Sequence, residues 1–113
     1  MKKHYITNSD SLLIMASDSK QQTNLLTCLI DDISENLTKL DEALNSKEIE
    51  KIDYYLHKFL GVSGMFGLEN LHYTVNDCIN NKSNSYIKKS KYQHLIFSAF
   101  KTKILLTKLL PTA

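Results

Sequence analysis

Apolar side chains recur along most of this chain at steps of three and four, the spacing that gathers them on one face of an α-helix. From Ser19 to about Leu44 the recurring positions are Leu26, Ile30, Ile33, Leu37, Leu40 and Leu44, a continuous stripe that predicts one long helix. Asp18 or Ser19 can cap its start, and Asn45 with Glu48 three residues later has the form of a capping box for the next helix. That second helix places Ile49, Ile52, Leu56, Phe59, Leu60 and Ser63 on one face. A break is expected over Gly64 to Gly67, followed by a helix with Leu68, Leu71, Val75, Cys78 and Ile79 inward. The polar run Asn-Asn-Lys-Ser-Asn-Ser, residues 80 to 85, predicts a loop.

The last helix is expected from about Tyr86 to Leu110. Its apolar residues spread too widely around the helix to fix a register, with Tyr92, Ile96, Ala99 and Leu106 as inward positions. Near the N-terminus, the stretch Ser-Asp-Ser-Leu-Leu-Ile-Met suggests a short additional helix over residues 9 to 16, laid across one end. The only proline is Pro111, so nothing breaks the body of the chain. Short connections between long helices favour antiparallel neighbours. The expectation is an all-α, up-down four-helix bundle with a short extra N-terminal helix, forming a single domain over residues 1–113.

A chain of 113 residues can bury a core but cannot hold a nucleotide-binding fold plus a second domain. Its glycines fit neither phosphate-cradling loop pattern, so any phosphoryl group must arrive on another molecule. Cys28 and Cys78 sit in apolar helical patterns, which predicts buried, reduced thiols of an intracellular protein. No run of 18 apolar residues occurs, and the Met-Lys-Lys start is not followed by a clear signal-peptide cleavage site. A soluble cytoplasmic protein is expected. The histidines His4, His57, His72 and His94 have no histidine or cysteine partner at helical ligand spacing, so no metal site is expected.

The formal net charge of +2 hides an asymmetry, because all 12 acidic residues lie at or before Asp77 while residues 78 to 113 carry seven lysines and no acid. A basic last helix is either a solvated face or a surface for an anionic partner. The absence of arginine weakens a nucleic-acid reading, since bidentate guanidinium contacts are missing.

All three glycines, Gly61, Gly64 and Gly67, follow His57 within the segment Leu-His-Lys-Phe-Leu-Gly-Val-Ser-Gly-Met-Phe-Gly. An interior helical glycine costs about 1 kcal/mol relative to alanine, so this concentration beside one histidine points to access for a large partner. A helical wheel sets His57 about a quarter turn from the middle of the buried stripe, with Gly61 one turn further along the same line.

A histidine, a glycine four residues later and a second glycine ten residues later resembles the motif of the histidine-containing phosphotransfer (HPt) domain of bacterial phosphorelays. Here these are His57, Gly61 and Gly67, with Ser63 and Gly64 as the small residues between and Leu68 and Leu71 continuing the apolar pattern. The upstream helix and acidic turn resemble the family as well, so the likeness covers about residues 20 to 80. The resemblance implies that His57 accepts a phosphoryl group from a receiver-domain aspartate and passes it to the aspartate of a response regulator. It implies a docking surface around Tyr54, Gly61, Gly64, Met65, Phe66 and Gly67 and no cofactor beyond magnesium held by the partner receiver, and a complete bundle with no unburied seam is expected to be a monomer. No nucleotide site, nucleic-acid partner or direct membrane contact is implied.

One position departs from the family, which usually carries lysine three residues after the histidine. Here that residue is Leu60, and Lys58 is the substitute available to offset phosphoryl charge. A non-phosphorylated adaptor docking the same receivers is the alternative, followed by a lysine-rich nucleic-acid-binding bundle. A free-standing protein and the last domain of a hybrid sensor histidine kinase, on the cytoplasmic side of the inner membrane, are both compatible with the residues.

Overall fold

The computed structural model describes residues 19–110. Four helices account for most of them: α1 (Ser19–Ser46), α2 (Ile49–Met65), α3 (Glu69–Asn80) and α4 (Lys89–Lys108). Between α3 and α4 lies a small antiparallel hairpin of β1 (Lys82–Ser83) and β2 (Tyr86–Ile87). Helix α1 packs on α2 and α4, and α3 packs on the same two, so the contacts close a ring. Inside it one cluster forms the core, with Phe59 of α2 its largest fully buried side chain.

The buried row of α1 is Leu26, Leu29, Ile33, Asn36, Leu40 and Ala43, whereas the expected Ile30, Leu37 and Leu44 are only half-buried. A helix wedged between two neighbours buries a wide face, and the centre of that face falls between its apolar rows. On α2, Ile52, Leu56, Phe59 and Ser63 are buried as expected. Ile49 is not: as the first residue of the helix it stays 45% exposed.

The capping box does not form. Helix α1 runs on through Asn45, whose amide donates to Asp41 at 3.5 Å, and Glu48 precedes α2 with no side-chain capping bond. Instead, α1 closes by backbone geometry: Lys47 N–H donates to the Leu44 carbonyl at 3.2 Å and Glu48 N–H to the Ala43 carbonyl at 3.0 Å. This paired closure needs a left-handed residue, and Lys47 adopts it with φ 55°. A side chain there is strained, so Lys47→Gly should stabilise the fold by up to about 1 kcal/mol, net of glycine's entropy cost. A chemical-denaturation midpoint that rises with an unchanged slope is the expected reading. At the end of α2 the same closure recurs, Leu68 N–H donating to the Ser63 carbonyl at 2.8 Å, and there the left-handed residue is Gly67 with φ 66°.

The polar run predicted as a loop contains β1 and the reversal of the hairpin, where Asn84 takes a left-handed φ of 54°. Asparagine tolerates that conformation better than most residues. Ile87 anchors the hairpin in the core, and α4 therefore begins at Lys89 rather than Tyr86. Its inward residues are Leu95, Ser98, Ala99, Thr102 and Leu106, while Tyr92 and Ile96 are half-buried. Small and polar residues face the core and Phe97, Phe100 and Ile104 face out. Apolar side chains on both faces leave the periodicity without one direction.

The two cysteines are free but differ from the expectation of two buried thiols, since Cys28 is exposed. Cys78 donates to the Lys91 carbonyl at 3.4 Å, and burial, followed by the neighbouring Asp77 charge, pushes its thiol up to about 12. Only the thiolate reacts readily. A thiol reagent at pH 8 should therefore modify one cysteine at once and the second only after denaturant is added. The residues suggested as an N-terminal helix, 9 to 16, and the candidate cap Asp18 lie outside the described residues. Among those described, no helix is long and apolar enough to cross a membrane.

Candidate functional site

Leu56 and Phe59 anchor α2 in the core, and a rotation of 100° per residue turns the intervening His57 toward the surface. The imidazole is exposed. Its Nδ1 lies 2.8 Å from the backbone carbonyl oxygen of Asp53, one turn back. A carbonyl only accepts, so Nδ1 carries the proton and donates, leaving Nε2 with a lone pair. The Asp53 carboxylate is engaged elsewhere, 2.7 Å from the ammonium of Lys82 in the hairpin. The backbone thus sets the tautomer without placing a carboxylate charge on the ring. The arrangement is an exposed, oriented nitrogen nucleophile.

The three glycines have three different reasons. At Gly61 an added Cβ would meet nothing within 4 Å, so the surface one turn beyond His57 is open. At Gly64 a Cβ would lie 3.2 Å from Cε1 and 3.3 Å from Nδ1 of His72, so this glycine makes room for a second histidine on α3. Gly67 supplies the left-handed turn. Open space is found at the first alone, while the other two each have a structural reason of their own.

His72 belongs to a network that sequence reasoning missed. Its Nδ1 lies 3.2 Å from the Leu60 carbonyl and 3.2 Å from Ser63 Oγ, while the fully buried Ser63 hydroxyl donates to the Phe59 carbonyl at 2.8 Å. With its proton on Nδ1, His72 donates toward Leu60 and Ser63 and ties the start of α3 to the last turns of α2. The available signal was a serine on a buried face followed directly by a glycine.

Lys58 is exposed, with its ammonium 6.0 Å from the centre of the Tyr54 ring. Tyr54 is itself 58% exposed and stands edge-on to Tyr55, ring centres 4.9 Å apart. At helical spacing Tyr54, Gly61, Gly64 and Met65 share the side of α2 that carries His57. Phe66 lies apart from them, half-buried against the core at the end of α2, and Gly67 follows in the turn. Leu60 also packs against the core, so an apolar side chain occupies its side of the histidine. Among the described residues no three histidine, cysteine or acidic side chains cluster as metal ligands.

Residues 24–78 match the family model described as Hpt domain. The matched stretch runs from α1 to the end of the core face of α3 and includes His57 and all three glycines. The chain therefore carries an Hpt domain, a module of histidine phosphotransfer in phosphorelays that acts as a phosphocarrier and interacts with receiver domains. No curated protein and no solved structure matches the chain at a significant level.

Proposed function

We propose that His57 is the phosphoacceptor of a cytoplasmic phosphocarrier, a single antiparallel up-down bundle that takes a phosphoryl group from one receiver domain and delivers it to a response regulator. The observation that carries this reading is the Nδ1 bond to Asp53, which leaves the Nε2 lone pair exposed beside the open surface at Gly61. In the forward step Nε2 attacks the phosphorus of an aspartyl phosphate. The N–P bond forms as the acyl P–O bond breaks, and the aspartate leaves as a carboxylate. No proton moves, because Nδ1 keeps its hydrogen, and the positive charge gained by the ring is held by the Asp53 carbonyl. Transfer to the second receiver is the reverse step on another aspartate.

Such chemistry depends on positioning and charge neutralisation. The receiver brings magnesium, and this chain contributes the oriented ring, the low surface at Gly61 and the Lys58 ammonium. Tyr54 and Met65 supply exposed contact area beside the ring.

The test is to incubate the chain and a His57→Gln variant with a phosphorylated receiver domain and with phosphoramidate, then measure intact mass and acid lability. One acid-labile phosphoryl group on the unaltered chain and none on the variant is expected. No modification under conditions that charge another Hpt domain would leave a docking adaptor as the better reading.

A further inference from the structure

Asp53 meets the candidate site with two different groups. Its backbone carbonyl accepts from His57 Nδ1 at 2.8 Å, and its carboxylate lies 2.7 Å from the ammonium of Lys82 in β1. One residue therefore touches both the imidazole and a lysine brought from another element. Helical side chains lean toward the N-terminus, so the ring sits back over the Asp53 turn. A phosphoryl group on Nε2 then stays within about one helical turn of the Asp53 carboxylate. Unpaired, that carboxylate would repel the phosphoryl group. Two unit charges about 6 Å apart interact strongly enough to change a rate about threefold even at the dielectric of bulk water, and more at a protein surface.

The lysine is held in place to oppose this. Its side chain is 16% exposed against 42% for that of Asp53, so the pair is screened less than one in open solvent. The Oδ1 atom of Asp53 is buried with no hydrogen-bond donor aligned on it, which leaves the ammonium at 2.7 Å as its compensation. Lys82 pairs across the hairpin with Ile87, which is anchored in the core, and its Nζ also lies 3.5 Å from the Asn84 carbonyl. Other charges are placed differently: Glu50 and Lys58 are exposed on α2, and Asp77 at the end of α3 is paired with Lys91 at 2.9 Å.

We propose that Lys82 is a positioning residue for phosphotransfer, acting through Asp53: by neutralising that carboxylate it keeps the approach to Nε2 free of negative charge. The inference rests on the reading of His57 as the phosphoacceptor. Lys82 follows the stretch 24–78 that matches the family model, so the hairpin of this chain contributes to a site built on α2.

The experiment measures charging by phosphoramidate, a small donor that brings no docking surface, at low ionic strength. It compares the unaltered chain, Lys82→Met, Asp53→Asn and the double variant, with a thermal melt of each and His57→Gln as the blank. Lys82→Met should charge at least about threefold more slowly, with a deficit that shrinks as salt rises. Asp53→Asn should charge at least as fast as the unaltered chain, because the backbone carbonyl still holds Nδ1. The double variant should return to the normal rate, since no carboxylate is left to neutralise. A pair that only ties the hairpin to α2 would slow all three variants alike, and that pattern would overturn the proposal. So would a normal rate for Lys82→Met, or a slow rate for Asp53→Asn, which can be read whether or not Lys82→Met folds. An unaltered chain that takes up no phosphate would remove the phosphoacceptor reading and this inference with it. Equal charging of all four forms at His57 would keep that reading and remove only the role of Lys82.

Discussion

Gly61→Leu is expected to cut phosphotransfer from a receiver domain by at least about 100-fold, the scale on which a misplacement of 1 Å acts on an oriented reaction. The same variant should remain folded and accept phosphate from phosphoramidate at close to the normal rate. A Cβ at Gly61 meets nothing within 4 Å, so the new side chain has no clash to relieve inside the molecule. Replacing a helical glycine by leucine should in fact gain close to 1 kcal/mol of helix propensity. What the leucine fills is the open surface one turn from the nucleophile, where a macromolecular donor must approach and a small one need not. Gly64→Leu provides the contrast: its Cβ falls 3.2 Å from the His72 ring, so it must displace the bonds to Leu60 and Ser63 and lose stability. Stopped-flow or quenched transfer assays with both donors, beside thermal melts, separate the cases. Unchanged transfer from the receiver to Gly61→Leu would remove this surface from the docking path.

The helices and the histidine were legible in the sequence because each rests on a local rule. Steps of three and four mark α2 and α3 cleanly, and most of their expected inward residues are buried. The register of helix α4 was not legible, since Phe97, Phe100 and Ile104 lie opposite its buried row and blur the period that an amphipathic helix would show. Helix caps failed for a different reason. Asn45 and Glu48 satisfy a side-chain pattern, but Lys47 in a left-handed conformation closes the helix with backbone bonds alone. In the candidate site, spacing identified His57 and the nearby glycines without separating their jobs. That distinction depends on His72, fifteen residues after His57 in sequence, and on the Leu60 carbonyl, neither of which a one-helix pattern can bring together.

Two neighbouring residues of α2 should show that folding and chemistry occupy different faces. Phe59→Ala removes the largest fully buried side chain of the core, and such truncations cost about 3–5 kcal/mol. Against a domain stability of about 5–15 kcal/mol this is severe, and the melting temperature should fall by more than about 10 °C. His57→Ala removes an exposed ring whose one hydrogen bond goes to a carbonyl already inside a helix, so its stability should change by about 0.5 kcal/mol or less. The functional outcomes invert. At a temperature where Phe59→Ala is still mostly folded, phosphorylation by phosphoramidate per folded molecule should match that of the unaltered chain, because Nδ1 remains held by Asp53. His57→Ala should take up nothing at any temperature. If the rate for Phe59→Ala fell further than its folded fraction, the core would be setting the orientation of the imidazole. If it tracked that fraction, the ring is oriented by its own helix turn and the core serves only to keep that turn in place.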